Sequence, residues 1–187
     1  NQEVQTMFYI FMADGFEEVE AVATIDVIRR SGIEVLTVSV GGEPAVKGAH
    51  GMTFVCDKTI EEVSPSDELE GVILPGGMPG TLNLQKSKEV NSFIDFCAES
   101  GKLLCAICAA PMILGRKGLL QGRRAVCFPG FEEDLIGAIP NSGFVCTDGN
   151  FITAKGMGCA VDFGLAIVAK VKGQAATDSL RSTLQCP

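Results

Sequence analysis

The stretch Leu103-Leu104-Cys105-Ala106-Ile107-Cys108-Ala109-Ala110-Pro111 decides the fold of this 187-residue chain. Its first five residues are apolar and typical of a buried strand, and Pro111 stands where the first turn of a helix tolerates proline. Cys108 therefore lies in a sharp strand-to-helix turn, with the small residues Ala106 and Ala110 nearby. Such a turn, a nucleophile elbow, holds its central side chain out over the edge of a sheet.

The Cys108 thiol is the candidate nucleophile. The free N–H groups and the dipole at a helix start favour a thiolate, so we expect the pKa of Cys108 to be lowered. Two other interpretations stay open on the local sequence. Cys108 could be one more buried apolar residue, as free cysteines commonly are. Cys105 and Cys108 could form a redox pair, although Cys105 would then lie inside the strand.

Apolar runs alternate with helix-length amphipathic segments on both sides of the elbow. Strands are predicted at residues 7–12, 34–40, 71–74, 103–107, 125–128, 145–147 and 151–153, helices at 17–31, 86–100, 109–114, 159–172 and 174–184, and a hairpin at 46–57. This alternation predicts an α/β fold, a doubly wound, mostly parallel sheet with helices on both faces. The length suits a single domain over residues 1–187.

Composition and charge exclude several classes of protein. There are 15 Lys and Arg against 23 Asp and Glu, a net charge of −8, and no basic cluster longer than a pair, so we expect no nucleic acid or anionic membrane as partner. No stretch approaches the roughly 20 apolar residues that span a bilayer. Residues 1–6 are polar and unlike a signal peptide. We therefore expect a cytoplasmic protein.

The cysteine and histidine content argues against disulfides and metals. The single histidine, His50, lies in a polar stretch predicted to be a surface loop, so a zinc site is not expected. Most of the eight cysteines sit singly in apolar runs, which predicts free thiols in a reducing compartment. Cys186 is expected in the tail of the chain. Six others are expected in the core: Cys56, Cys97, Cys105, Cys127, Cys146 and Cys159.

Three carboxylates begin the first predicted helix, and helical periodicity separates their roles. Glu20 falls within about 60° of the apolar stripe of the helix, so we expect it to point inward, where burial raises a carboxyl pKa. A protonated carboxyl there can donate a hydrogen bond to a nearby thiolate. Glu18 falls on the opposite face of the helix. Its favourable interaction with the positive end of the helix dipole is enough to explain an acidic residue at this position. Glu17 lies at the rim and could face the pocket or a partner subunit.

The glycine-rich stretch Leu74-Pro75-Gly76-Gly77-Met78-Pro79-Gly80 follows another predicted strand. Its glycines would let the N–H groups of Gly76 and Gly77 approach a substrate oxygen and, with the N–H of Ala109, form an oxyanion hole. A plain turn is the alternative, and the spacing is not that of a dinucleotide site. Because ligands bind at the carboxyl edge of such sheets, this loop, Cys108 and Glu20 can meet there.

These features in this order, with Asp26-Val27-Ile28-Arg29-Arg30-Ser31-Gly32-Ile33 after the acidic helix start, resemble the ThiJ/PfpI superfamily. The similarity extends from residue 11 to about residue 171 and favours the branch with the bacterial YajL protein and the Parkinsonism-associated deglycase. It implies a flavodoxin-like α/β/α sandwich of the class I glutamine amidotransferase type. It also implies a homodimer, with Glu17 and Arg30 as candidates for pairing across subunits near the first helix. The reactive cysteine and its protonated glutamate map onto Cys108 and Glu20.

The chain departs from the pattern of its relatives at three places. Ala109 stands where the protease-like branch has a histidine, and Phe128 where several relatives have a histidine near the active site. Ala154-Lys155-Gly156-Met157-Gly158-Cys159 replaces the common Ser-Arg-Gly-Pro-Gly-Thr. A Cys–His hydrolytic dyad would therefore require the distant His50 loop to fold back, and we discount the protease and thiazole-biosynthesis activities ascribed to the superfamily.

The resemblance implies glyoxalase activity without glutathione, deglycase activity, oxidation sensing or chaperone activity. We predict a cofactor-free, cysteine-dependent enzyme in which Cys108 attacks a small aldehyde or dicarbonyl, or a glycated adduct, assisted by Glu20. The alternative is a sensor in which Cys108 is oxidised to a sulfinate that Glu20 stabilises. Composition gives no support to a holdase chaperone.

Overall fold

A computed structural model describes residues 7–187 of the chain. The polar residues 1–6, on which the expectation about a signal peptide rests, lie outside it. The strands are β1 Met7–Met12, β2 Glu34–Ser39, β3 Ala45–Lys47, β4 Thr53–Val55, β5 Lys58–Thr59, β6 Leu69–Leu74, β7 Leu103–Ile107, β8 Arg124–Ala125, β9 Ile139–Pro140, β10 Val145–Asp148 and β11 Phe151–Ala154. The helices are α1 Glu18–Arg30, α2 Gly80–Lys86, α3 Lys88–Glu99, α4 Pro111–Arg116, α5 Ala160–Lys172 and α6 Gln174–Thr183.

Seven of the strands form one sheet in the order β10-β11-β7-β6-β1-β2-β5. All neighbours in it are parallel except the β10–β11 hairpin. Alternate residues of β1 serve two cores: Phe8 and Ile10 pack on the side of α1 and α5, and Tyr9 and Phe11 on the side of α3 and α4. The predicted α/β fold with helices on both faces is confirmed.

Helix α1 is bounded by local capping. The side chain of Glu17 accepts a hydrogen bond from the N–H of Glu20, which satisfies one free donor of the first turn. The helix closes at Ser31, and Gly32 follows with a φ of +81°, the left-handed conformation that commonly ends helices. Because β1 ends at Met12, α1 starts at the carboxyl edge of the sheet.

Strands β5 and β9 and helix α2 are absent from the sequence prediction, and one strand is shorter than predicted. The predicted strand 125–128 shortens to β8, which pairs with β9 in a separate small sheet. Helix α2 was not predicted because the glycine and prolines that precede it are typical of a loop. Ser87 separates α2 from α3 and caps α3 by accepting from the N–H of Val90.

Within residues 7–187, no helix combines the length and apolar character needed to cross a membrane.

Candidate active site

Cys108 occupies the turn between β7 and α4. Its φ is +66°, a left-handed conformation rare for a residue with a side chain, as a nucleophile elbow requires. Two backbone hydrogen bonds hold it there: the Cys108 N–H donates to the carbonyl of Ala154, and the Phe128 N–H donates to the carbonyl of Cys108, both with N···O distances of 2.8 Å. Ala106 and Ala110 beside it are completely buried. The predicted elbow is therefore present.

Glu20 lies in the first turns of α1 and points into the protein, with only 1% of its surface exposed. Its Oε2 accepts a hydrogen bond from the N–H of Gly76 at 2.9 Å. Its carboxyl group lies close to the Cys108 thiol, and the two groups shift each other's pKa. The inward direction expected from helical periodicity is confirmed. The structure thus brings Glu20 and Cys108 together, with Gly76 between them.

Gly76 is the point at which this arrangement is tightest. A Cβ atom added there would lie 2.6 Å from Cys108 Cβ and 2.6 Å from Glu20 Oε2, closer than carbon and oxygen atoms approach without a bond. Glycine is required here because there is no room for a side chain. A residue with any side chain would push the thiol and the carboxyl group apart.

Burial raises the pKa of Glu20 to about 7. The hydrogen bond with Cys108 opposes this increase, and the charge of Glu17 adds to it. Burial also raises the pKa of the Cys108 thiol to about 12, and the nearby Glu20 carboxylate contributes. The expectation of a lowered Cys108 pKa is wrong, because burial and this carboxylate outweigh the stabilising N–H groups of a helix, α4, that has only six residues.

These two pKa values assign roles within the pair. At neutral pH the Cys108 thiol holds its proton, while Glu20 is close to half ionised. The ionised carboxylate is then the hydrogen-bonded base beside the thiol, in the position a general base requires. Because the groups interact strongly, the first proton lost near neutral pH belongs to the pair.

The backbone amides around the sulfur differ in their availability. The N–H groups of Gly77 and Ala109 lie near the sulfur of Cys108, where they act to lower the pKa of the thiol. The N–H of Gly76 instead donates to Glu20. The expectation that Gly76 faces a substrate oxygen is therefore corrected: its amide positions the carboxyl group of Glu20.

The loop of residues 48–51, which we call the His50 loop, folds back onto the start of α1. The His50 N–H donates to Glu18 Oε1 at 2.7 Å, and His50 Nδ1 lies 2.9 Å from Glu18 Oε2. Glu18 is only 5% exposed, so its expected outward position is wrong: the loop covers that side of the helix. The sequence analysis did not predict this contact. Gly48 and Gly51, on either side of His50 in the predicted hairpin, could have indicated that the loop approaches another segment closely.

Glu17, Glu18 and His50 form a hydrogen-bonded charged cluster. Donor atoms from all three lie within 4.8 Å of one another. Oε2 of Glu17 accepts from the Glu20 N–H at 2.7 Å, and both Glu18 oxygens are engaged by His50, so we interpret the cluster as an ion-pair network and not as a metal site. The two carboxylates raise the pKa of His50, Glu18 foremost. Burial alone would raise the pKa of Glu18, but the hydrogen bonds, chiefly from His50, lower it.

Arg30 and Phe128, the remaining candidates, lie at different distances from this centre. Arg30 ends α1 far from Glu17 and forms an exposed ion pair with Asp26 at 3.0 Å, so its pairing with Glu17 of a second subunit stays a prediction. Phe128 is about half exposed and adjoins the site. A Cβ added at Gly156 would lie 3.3 Å from the Phe128 ring and 4.0 Å from Glu20 Oε1.

A groove of about 560 Å³ opens at Gly156, and neither Glu20 nor Cys108 is among its lining residues. Phe128, Phe144, Lys155 and Met157 are among its lining residues, and the amino group of Lys155 lies 5.2 Å from the centre of the Phe144 ring. The groove is mainly apolar, and residues 128 and 155–159 are among those that line it.

The cysteines divide as predicted. All eight lie within residues 7–187 and carry free thiols, six of them buried. Only Cys108 and Cys186 are partly exposed. Burial raises the pKa of Cys105, which is the partner of Cys108 in the candidate redox pair, and Cys105 is completely buried in β7. This location does not suit a redox pair.

Known proteins resemble the chain over most of its length. It is 33% identical over 176 residues to "Protein DJ-1 homolog A" of Arabidopsis thaliana, covering 92% of this chain and 45% of that one. It is 34% identical over 148 residues to a protein named deglycase from Pyrococcus abyssi, covering 78% and 87%. The chain therefore spans less than half of the plant relative but most of the archaeal one.

Solved structures agree with the sequence comparison. An oxidised DJ-1 from Toxoplasma gondii superposes with a TM-score of 0.91 at 30% identity, covering 96% of this chain and 97% of that one. The DJ-1/PfpI family matches residues 7–170, a range that includes the elbow, the glycine loop and α1. The resemblance identified from the motifs is thereby confirmed. The chain belongs to the DJ-1/PfpI family.

Proposed function

We propose that this protein is a cofactor-free, cysteine-dependent enzyme that converts small dicarbonyls such as methylglyoxal to hydroxyacids without glutathione. The observation that carries the proposal is the buried Glu20 carboxyl group, which lies close to the Cys108 thiol and has a pKa of about 7. A group that titrates near neutral pH can both accept and donate a proton during turnover.

The first step is addition of sulfur to the aldehyde carbon. Glu20 takes the thiol proton as the sulfur of Cys108 forms the C–S bond, and the π electrons of the carbonyl group move to its oxygen. The N–H groups of Gly77 and Ala109, which face the sulfur, stabilise this oxyanion. Glu20 then returns the proton to the oxygen. The product of the step is a neutral hemithioacetal.

The second step is an internal proton transfer. The Glu20 carboxylate removes the proton from the carbon bonded to sulfur and delivers it to the neighbouring carbon. The hydroxyl proton of the hemithioacetal passes to the former ketone oxygen at the same stage, and the product is a lactoyl thioester. Water then adds to the thioester carbonyl, the C–S bond breaks, and the sulfur regains a proton. Methylglyoxal and water thus give lactic acid. The overall reaction needs no external oxidant or reductant.

Two further observations support the proposal. The archaeal relative that shares 34% identity is named a deglycase, and such an activity also begins at a reactive carbonyl adduct. The groove at Gly156, the lining residue that approaches Glu20, is mainly apolar, which suits a small organic substrate or a glycated side chain. The test is lactate formation from methylglyoxal without glutathione, and lactate formed equally by Cys108→Ser would contradict the proposal.

A second candidate function is oxidation sensing through Cys108. Cys108 is more exposed than the six buried thiols, and amides of Gly77 and Ala109 that face its sulfur can bind sulfinate oxygens. Two equivalents of peroxide would convert the thiolate first to a sulfenate and then to a sulfinate, each releasing water. Protonated Glu20 would donate to the product. Mass spectrometry after limited peroxide should find oxidation first at Cys108, and equal oxidation of all eight cysteines would exclude this function.

The assembly and location that accompany this function are also proposals. Val19 and Val22 on α1 leave apolar surface exposed, 46% for Val22, which favours burial against a second copy of the chain. We propose a homodimer joined near α1. The eight free thiols are consistent with a reducing compartment, and we propose the cytoplasm.

A further inference from the structure

The His50 loop is fastened to the start of α1 by backbone contacts. The N–H of Ala49 donates to the carbonyl of Phe16 at 2.8 Å, and that of His50 donates to Glu18 Oε1 at 2.7 Å. A Cβ added at Gly48 would overlap the Glu18 carboxyl group, so only glycine permits this close approach. The imidazole of His50 is consequently held in place although 69% of the side chain is exposed.

The charged groups near His50 and Glu20 form a chain. From α1, Glu18 Oε2 and Glu17 Oε1 face His50 Nδ1 at 2.9 and 3.9 Å. Glu17 then reaches Glu20, because Glu17 Oε2 accepts from the Glu20 N–H. Glu20 meets the Cys108 thiol from the elbow and the Gly76 amide from the loop after β6.

Two other charged groups border this chain without joining it. Lys155, beside Gly156, directs its amino group over the Phe144 ring. Asp14, in the turn before α1, accepts from the backbone N–H of Lys47 at 2.9 Å. Glu17 is therefore the residue that contacts both His50 and Glu20.

We propose that His50 is a positioning residue whose protonation state sets the pH at which Cys108 becomes reactive. The mechanism is electrostatic. Protonated His50 offsets the negative charge of Glu17 and Glu18, so Glu20 can ionise and take the thiol proton at lower pH. When His50 loses its proton, the charge of Glu17 acts on Glu20 without compensation, and ionisation of Glu20 becomes harder.

The directions of the pKa shifts agree with this mechanism. The charge of Glu17 raises the pKa of Glu20, and Glu18, with a smaller contribution from Glu17, raises that of His50. His50 therefore keeps its proton to higher pH than a free histidine, which itself titrates near pH 6.5. The inference deepens the proposed function and rests on it for its biological role, but the reactivity of Cys108 can be measured without any substrate.

The test is the rate of Cys108 alkylation by iodoacetamide as a function of pH, followed by mass spectrometry of the Cys108 peptide. We compare wild type, His50→Gln and His50→Arg at low and high salt. His50→Gln removes the charge, and the midpoint near neutral pH should rise by about half a pH unit, the size expected for a charge screened by solvent. His50→Arg keeps the charge and should retain a low midpoint. High salt should reduce the difference between the variants.

A double variant identifies the route of the effect. In a Glu17→Gln background, where Gln can still cap the Glu20 N–H, His50→Gln should shift the midpoint less than it does in wild type. Equal midpoints for wild type and His50→Gln would overturn the proposal, as would an equally large rise in His50→Arg. If His50→Gln shifts the alkylation midpoint as expected but wild type forms no lactate, the proposed function is refuted and the present inference stands. Cys108-dependent lactate formation with no His50 effect would refute only the present inference.

Discussion

The N–H of Gly76 donates a 2.9 Å hydrogen bond to Oε2 of Glu20, so one loop both fixes the carboxyl group and leaves space for the thiol. This bond ties α1 to the loop after β6 at the carboxyl edge of the sheet. The elbow after β7 brings Cys108 to the same place. Helix α1, the loop after β6 and the turn after β7 thus contribute one residue each to the site, namely Glu20, Gly76 and Cys108.

Glu20→Gln should reduce lactate formation strongly while leaving the fold intact. Glutamine preserves the shape of the side chain and can hydrogen-bond with the Gly76 amide, but it cannot accept the thiol proton. Loss of a general acid–base group typically lowers rates by about 10²–10⁴-fold. The rate is measured at neutral pH beside Glu99→Gln, an exposed carboxylate on α3. A Glu20→Gln protein with wild-type turnover would exclude Glu20 as the proton carrier.

Gly76→Ala should disturb both stability and thiol reactivity. The added methyl group meets Cys108 Cβ and Glu20 Oε2 at 2.6 Å, and relieving such overlap typically costs about 1–3 kcal/mol. Urea unfolding and Cys108 alkylation measure the two effects. Gly41→Ala is the matched control, because a Cβ at Gly41 meets nothing within 4 Å. Equal stability and reactivity in both variants would show that the pair does not need this glycine.

The stabilising effect of His50 should depend on pH in a defined direction. Its pKa is raised on folding, so its contribution is fully present below the unfolded value near 6.5 and is lost as pH rises through the folded value. The partner, Glu18, has a lowered pKa, so its contribution is fully present above the unfolded value of 4.5 and is lost as pH falls through the lower folded value. His50→Gln should therefore lower the free energy of unfolding most at about pH 5.5 and least at about pH 9. A difference that grew with pH would contradict this ion pair.

Val22→Glu should convert the proposed homodimer to a monomer. The substitution places a charge on the apolar surface of α1, and burying an unpaired charge at an interface is unfavourable. Sedimentation velocity measures the result, with Val55→Glu on β4 as the control for adding a charge to an exposed valine. A monomeric wild type, or a dimer that survives Val22→Glu, would exclude an interface centred on α1.

The parts of the site that local sequence determines could be predicted. Helical periodicity placed Glu20 inward because the apolar stripe of α1 must face the sheet. The elbow at Cys108 followed from an apolar strand, small neighbours and Pro111, which together leave few other conformations. Both inferences needed only residues close in sequence.

The parts that depend on distant segments could not be predicted. The burial of Glu18 comes from the His50 loop, which starts 30 residues later and returns to the same edge of the sheet. The Gly76 amide bonds to Glu20 across 56 residues, so its role as a support for the carboxyl group required the structure. The raised pKa of Cys108 likewise reflects burial and a carboxylate from α1, neither of which the elbow sequence contains.

The most direct test of the central claim is lactate formation from methylglyoxal without glutathione by wild type and Cys108→Ser at equal purity. Cys186→Ser serves as the control, since Cys186 is the other partly exposed thiol. Wild type and Cys186→Ser should produce lactate at equal rates, and Cys108→Ser should produce none above the rate without enzyme. Lactate formation that persists in Cys108→Ser, or a wild type without activity, would contradict the account of a carbonyl enzyme built on Cys108 and Glu20.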